Sequence, residues 1–402
     1  MKKKSIWIIN EYAGSPYHGM EFRHYYLGRE LLKLGYNVTI ISASFSHLFY
    51  KLPNARKWIT YENVDEIDYF WIKVIKYSNS LDKKRVIKWI QFSLSLLFLP
   101  FKKISHPDAI ILSPMATMPV LPTYLISKMM HAKFIFEVKD IWPLGLVELG
   151  GYSHYHPFII LLRIFELFAL KKADYIISNF SNYNQYLKEQ KINRDSIYIP
   201  NGIYLLEMQK AEPLDNAILE MIPEKKFIIG YAGTIGLANA LEYFLAAAKI
   251  LEKNQEIAFL IVGDGKEKNN LLKMAKGMSN IYFIPAIPKR QIQSIIKYFD
   301  VCYIGWRAKK LYEFGVAANK IFDYMYSGKP ILHSINSNND IISIAKCGIS
   351  VEAENPQAIA DAVLRLYNMS QKQRSEMGEN GKKYVLKHHT YEKLALQYKE
   401  IL

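Results

Sequence analysis

The chain has 402 residues, half of them hydrophobic and 22% charged, which is enough apolar material for two or three globular cores. Lysine and arginine number 52 against 37 aspartate and glutamate, a formal net charge of +15, so an anionic partner is expected: a nucleotide-type ligand or the cytoplasmic face of a membrane. Nucleic acid is not expected, because there is no zinc-finger spacing, RNA-binding signature or long Lys/Arg tract, and two cysteines, Cys302 and Cys347, give no disulfide framework and fit a reduced compartment.

Lys2-Lys3-Lys4 precede an apolar run at 6–9 that stops at Asn10-Glu11, too short for a signal peptide, so a cytosolic protein or one on the inner face of the inner membrane is expected. Short β-branched runs then alternate with helical patterns. Strands are predicted at 5–10, 37–42, 70–75, 109–113, 133–138, 175–179 and 196–200, and again at 227–233, 258–263, 281–285, 301–306, 330–335 and 348–353. Continuous apolar strands separated by helices mean parallel sheets covered on both faces, and this many strands exceed one open sheet. The chain divides after Pro200-Asn201-Gly202, where 203–225 read as linker and short helix. Two doubly wound domains are predicted, 1–202 and 203–385, with ligands at the carboxyl ends of the strands. Helices are predicted at 356–368 and 371–388, and a last helix within 390–402 is expected to return to the first domain.

Two apolar stretches stand out. Residues 83–103 carry an aromatic, aliphatic centre between Lys83-Lys84-Arg85 and Lys102-Lys103, with Pro100 ending the run. The run is too short to cross a bilayer. It suits a helix lying in the membrane interface, with Trp89 and Phe92 inserted, or else a buried helix between strands. Residues 157–172 are a second candidate, in which Arg163 and Glu166 pair at i,i+3.

Three glycine turns are candidate anion cradles. Gly14-Ser15-Pro16-Tyr17-His18-Gly19 follows the first strand and precedes a helix predicted at 20–34 that holds Arg23 and His24. Its spacing is not that of a dinucleotide site, and the second strand ends in Ile41-Ser42-Ala43-Ser44 without an acid for an adenine ribose. Gly233-Thr234-Ile235-Gly236 and Gly263-Asp264-Gly265 repeat the pattern in the second half. Tight turns explain each glycine equally well. Lys139-Asp140 stand at the carboxyl end of a predicted strand, where Asp140 accepts a proton from an attacking hydroxyl or caps a helix before Pro143.

The block Asn319-Lys320-Ile321-Phe322-Asp323-Tyr324-Met325-Tyr326-Ser327-Gly328-Lys329-Pro330 reads as a helix starting after a small-residue loop and ending at Gly328. Lys320 and Asp323 share one face. Such a helix offers its first amides and Lys320 to a phosphate while Asp323 accepts from a sugar hydroxyl; the plain alternative is a solvated ion pair.

Together with Pro200-Asn201-Gly202 and Val262-Gly263-Asp264-Gly265, these motifs occur in an order that resembles glycosyltransferase family 4, the retaining enzymes of the GT-B fold, over essentially the whole chain. The first half is most similar to O-antigen or capsule N-acetyl-L-fucosamine transferases. The resemblance implies two Rossmann-like domains facing across a cleft, a UDP-sugar donor on the second, a polyprenyl-diphosphate-linked acceptor on the first, and no cofactor or metal. Asp323 would bind the donor ribose, Asn319 and Lys320 the diphosphate, and the backbone around Ile287 the uracil. Gly14 to Gly19 would approach from the first domain. Two departures are visible: Gly315 stands where the family carries the first glutamate of a Glu-x7-Glu motif, and Leu237-Ala238-Asn239-Ala240 lacks the usual cations. The diphosphate would then meet Lys320, Arg307, Arg23 or helix amides. Two rival readings are a UDP-sugar 2-epimerase of similar fold and a non-enzymatic membrane-bound assembly scaffold.

Overall fold

Alternating apolar strands and helices build two sheets in the computed structural model, which describes residues 3–19, 22–79, 82–337 and 339–402. The expected helix start at Met20 lies outside the described residues, as does Lys2. The chain separates into two compact units, Met1–Pro200 with Tyr391–Leu402, and Asn201–Thr390.

The first unit runs β1 (Ser5–Ile9), α1 (Arg23–Lys33), β2 (Asn37–Ala43), β3 (Ile59–Val64), β4 (Ile67–Ile72), α2 (Lys84–Ser95), β5 (Ala109–Leu112), α3 (Val120–Met129), β6 (Lys133–Val138), α4 (Leu144–Glu148), α5 (Pro157–Lys172), β7 (Tyr175–Ser178), α6 (Tyr183–Glu189) and β8 (Ile197–Tyr198). Its sheet has the order β3-β4-β2-β1-β5-β6-β7-β8. Every pairing but one is parallel. All of β1 and β5 is buried, so these strands read as unbroken apolar runs rather than as alternation.

The exception is β3, an antiparallel edge strand absent from the sequence reading. It is joined to β4 through Asp65 and Glu66, both in the left-handed region at φ 48° and 67°. Such a two-residue turn is recognised in sequence by Asn-Gly or Asp-Gly, and Asp-Glu gives no such signal. The turn places β4 at Ile67–Ile72, three residues earlier than the predicted 70–75.

Helix α2 overturns the expected orientation of residues 83–103. Trp89 and Phe92 are buried against the unit, not available for insertion. Trp89 donates to the Tyr12 hydroxyl at 3.0 Å and meets Trp142 edge to face at 5.4 Å. Lys88 is also buried, its Nζ 3.7 Å from the Tyr12 ring centroid and donating to the Glu11 carbonyl at 3.1 Å. In α5, Arg163 and Glu166 pair at 3.2 Å as predicted. Burial pushes the Glu166 carboxyl up to about 7, although its bond from the Tyr186 hydroxyl and the Arg163 charge oppose this.

The second unit runs α7 (Leu205–Gln209), α8 (Asn216–Leu219), β9 (Phe227–Ala232), α9 (Leu241–Ile250), β10 (Ile257–Val262), α10 (Lys268–Met274), β11 (Ile281–Ile284), α11 (Ile292–Ile296), β12 (Val301–Gly305), α12 (Asn319–Ser327), β13 (Ile331–Ser334), α13 (Ile341–Ile344), β14 (Gly348–Val351), α14 (Pro356–Asn368) and α15 (Gln371–His388). Its sheet is wholly parallel, in the order β11-β10-β9-β12-β13-β14. Chain order reverses beside β9, and at such a point the loops after neighbouring strands part to leave a crevice. A reciprocal Ser370–Gln373 capping box starts α15, and Gly328, left-handed at φ 71°, ends α12. The last helix, α16 (Tyr391–Lys399), packs on α1 in the first unit.

Candidate active site

The first turn of α12 carries the group that organises the second unit's strand ends. Lys320 reaches back across β9 and donates to the Tyr231 hydroxyl at 2.7 Å and to the Asn239 side-chain carbonyl at 2.6 Å. Its ammonium also lies 4.4 Å from the Tyr231 ring centroid. One turn further, the Tyr324 hydroxyl takes the Ala232 amide at 2.7 Å and donates to the Ala232 carbonyl at 3.1 Å. Residues 320 and 324 thus pin α12 over the first glycine turn at i,i+4 spacing. Among the described residues, Lys320 has no carboxylate within ion-pair distance. Burial alone lowers its ammonium to about 7.

The glycines are required by this packing. Gly233 sits at φ 155°, and a Cβ there would lie 3.3 Å from the Lys320 ammonium. At Gly263, φ 150°, a Cβ would strike the Gly233 carbonyl at 2.0 Å. The turns after β9 and β10 are therefore pressed together, with the Ile235 amide bonded to the Asp264 carbonyl at 2.8 Å. Thr234 is exposed and Gly236 half-buried; the Thr234 carbonyl accepts from Tyr231 at 2.6 Å and from Asn239 at 2.9 Å. Asn319 opens α12, exposed, and no side chain caps the helix. Its uncapped first amides adjoin Lys320, an arrangement suited to an anion.

Asp323 is one-tenth exposed and ion-paired with Lys289, which follows the loop holding half-buried Ile287. The pair ties that loop to α12, so the residues expected to meet base and ribose are neighbours. Arg307 is bonded to the Leu237 carbonyl at 2.9 Å and ion-paired with Glu242 and Glu354, so its charge is already met. Tyr231, Asn239, Tyr324 and Lys289 were not singled out by sequence. Asn239 stands in the stretch that lacks the family's cations, and there it holds one instead.

In the first unit the structure corrects Arg23. Its guanidinium is buried and bonded to Glu137 at 2.9 and 3.1 Å, to the Pro200 and Ile199 carbonyls at 2.6 and 3.0 Å, and to the Tyr398 hydroxyl at 3.1 Å. His24 joins the other Glu137 oxygen at 3.1 Å. Burial alone would raise the Glu137 carboxyl, but Arg23 and His24 overcome it and hold the carboxyl well below the usual range. This knot is structural and leaves Arg23 no face for a diphosphate. Among the described residues α1 starts at Arg23, with Phe22 at its cap. A Cβ on Gly14 would strike the Gly19 carbonyl at 1.9 Å, and one on Gly19, at φ 94°, would meet the Tyr50 ring at 2.7 Å. Close packing thus explains both glycines as a tight turn. Lys139 is buried and Asp140 exposed directly after β6, and α4 has Pro143, not Asp140, at its cap. Glu11, after β1, accepts from the Met115 and Ala116 amides at 3.1 Å each, and burial raises its carboxyl against the pull of Lys88.

Residues 219–384 match the family model described as glycosyl transferases group 1. WcaI of Escherichia coli (strain K12), named for colanic acid biosynthesis glycosyl transfer, is 27% identical over 55% of this chain and 56% of its own length. The alpha-D-kanosaminyltransferase of Streptomyces kanamyceticus is 29% identical over 38% of this chain and 39% of its own. The chain thus spans about half or less of the curated relatives it matches. Among solved structures, sucrose-phosphate synthase from Thermosynechococcus elongatus superposes with a TM-score of 0.75 at 16% identity, covering 99% of this chain and 98% of the other. A trehalose-6-phosphate structure from E. coli bound with UDP-2-fluoro glucose gives 0.73 at 12% identity over 99% and 98%. At these identities the likeness carries the fold, two Rossmann-like α/β domains of the GT-B kind. On that scaffold, residues 219–384 are the part that resembles the glycosyl transferases group 1.

Proposed function

We propose that the protein is a retaining, metal-independent glycosyltransferase that moves a sugar from a UDP-sugar to a polyprenyl-diphosphate-linked saccharide at the inner membrane surface, in surface polysaccharide biosynthesis. The observation that carries this reading is Lys320: a buried ammonium with no carboxylate beside it, poised over a glycine turn and the uncapped start of α12. A charge left without a counter-ion in that setting is completed by an anionic ligand. A diphosphate fits, with the uridine ribose at Asp323 and the base along the Ile287 loop. The names of the relatives, a colanic acid biosynthesis glycosyl transferase and an alpha-D-kanosaminyltransferase, support sugar transfer, and the UDP-2-fluoro glucose in one structural neighbour supports a UDP donor.

In the proposed reaction the bond between the anomeric carbon and the diphosphate oxygen breaks, and UDP leaves with the electron pair. The acceptor hydroxyl adds on the same face and gives up its proton, with Asp140 as the candidate acceptor. Charge grows on the departing diphosphate, so Lys320 and the α12 amides act where the transition state needs them. The donor sugar is proposed, from the resemblance, as N-acetyl-L-fucosamine.

Thermal shift with UDP and a panel of UDP-sugars tests this. At one UDP concentration the melting temperature of the wild type is expected to rise clearly more than that of Lys320→Ala. Equal shifts in both proteins would remove the assignment. A UDP-sugar consumed only when lipid-linked acceptor is present identifies transfer rather than epimerisation.

A further inference from the structure

Helices α2, α3 and α5 lie side by side on the first unit. The Trp89 and Phe158 rings stack at 6.4 Å between α2 and α5, and Tyr124 meets Phe168 at 5.1 Å between α3 and α5. Buried side chains such as Trp89, Phe92, Ile126 and Leu162 form their inner faces. The outer faces are apolar as well. Ile90, Leu94 and Phe98 from α2 and the turn after it are 45%, 57% and 72% exposed, Leu125 from α3 is 51%, and Ile160 and Ile164 from α5 are 45% and 56%. A helix layer covering one side of a sheet ordinarily turns polar residues outward.

The charges on this layer have one sign. Glu166 is the only acid within the three helices, and it is buried against Tyr186 and Arg163. Exposed lysines fringe the apolar residues: Lys84 before them, Lys103 behind, Lys128 on α3 and Lys172 at the end of α5. An apolar centre inside a cationic rim matches the acyl boundary and anionic headgroups of a phospholipid leaflet. No helix among the described residues is long and apolar enough to cross a membrane.

We propose that α2, α3 and α5 together form a lipid-contact platform, with Ile90, Leu94, Phe98, Leu125, Ile160 and Ile164 entering the interface and the lysines resting on anionic headgroups. The proposal takes the inner-membrane setting from the preceding section and assigns the surface; it replaces Trp89 and Phe92 by residues on the opposite side of α2. A single helix offers a narrow contact, whereas three adjoining helices fix the orientation of the unit on the membrane plane.

Flotation of the full chain with phosphatidylcholine vesicles, pure or with roughly one phosphatidylglycerol in four, reads the platform directly. The wild type is expected to float with the anionic vesicles and much less with the neutral ones. Ile90→Glu/Leu94→Glu/Phe98→Glu is expected to lower the bound fraction about tenfold or more. Leu206→Glu/Leu272→Glu/Met274→Glu, exposed positions of the second unit with the same change of charge, should float like the wild type. The proposal falls if the wild type stays unbound, if both triple variants float equally well, or if light scattering shows that the first one only converts a dimer to monomer. Binding of UDP to the soluble first variant, unchanged from wild type, shows that it folds, and keeps this result separate from the donor-site reading.

Discussion

A buried cation in one unit and a half-buried one in the other are completed in opposite ways. Arg23 is surrounded by a carboxylate, two carbonyls and a hydroxyl. Lys320 is held only by neutral oxygens of Tyr231 and Asn239. Desolvation penalises both, and at Arg23 the protein supplies the compensating charge. At Lys320 it does not. A cation matched by its own chain is part of the scaffold, and one left to neutral partners beside an open helix start is, in the function proposed here, a place for a ligand. In the sequence Lys320 and Arg23 are alternative candidates for the diphosphate; the partners, not the residue type, tell them apart.

The sharpest way to break this contrast is to remove the counter-charge in the first unit. Glu137→Gln should cost about 3–5 kcal/mol of stability, because it leaves Arg23 buried without its carboxylate. Urea denaturation measures it, and the UDP-induced thermal shift of the surviving folded protein should persist. A loss near zero would mean that the knot is not structural. Next in size, Lys320→Met should weaken UDP by about 2 kcal/mol, roughly thirtyfold, by calorimetry, without loss of stability. A destabilised variant with intact UDP affinity would reverse the assignment of the two cations. Asp323→Ala separates pentose from phosphate: UDP should weaken by about 1.5 kcal/mol while inorganic pyrophosphate binds as before. Equal losses for both ligands would place Asp323 at the phosphates.

A further effect is protonic. Lys320 titrates near 7 in the free protein, against 10.5 when unfolded, so the unfolded chain holds more protons between those values. Stability of the free protein should therefore rise as pH climbs from about 7 towards 10.5. A diphosphate restores the charge, so UDP binding at pH 8 should take up nearly one proton and binding at pH 6 almost none. Calorimetry in buffers of differing ionisation enthalpy reads this, and buffer-independent heats at pH 8 would rule it out.

What could be read in the sequence divides along the same physical line. Buried parallel strands announce themselves as apolar runs, so both sheets and helices α14 and α15 were visible at nearly their true bounds. Edge strand β3 was not, because a turn of Asp65 and Glu66 lacks the residues that usually mark left-handed backbone. The face of α2 was misjudged because both its sides are apolar and because Lys88, a residue type expected at the surface, is buried on Tyr12. Lys320 was visible from its motif. Its setting was not: Asn239 meets it from the turn before α9, where Ala240 takes the left-handed conformation at φ 47°. Nor was the fate of Arg23 visible, since Glu137 lies 114 positions along the chain.

The Glu137 knot also receives the hydroxyl of Tyr398, and the Lys133 ammonium bonds the Ile401 carbonyl at 3.0 Å. The amino-terminal half therefore waits for its closing helix until every residue from Asn201 to Thr390 has left the ribosome. During synthesis the groove on α1 that receives Tyr391 and Tyr398 stands open while the following unit is already able to fold, which makes that groove the stretch where a nascent chain most needs protection from aggregation.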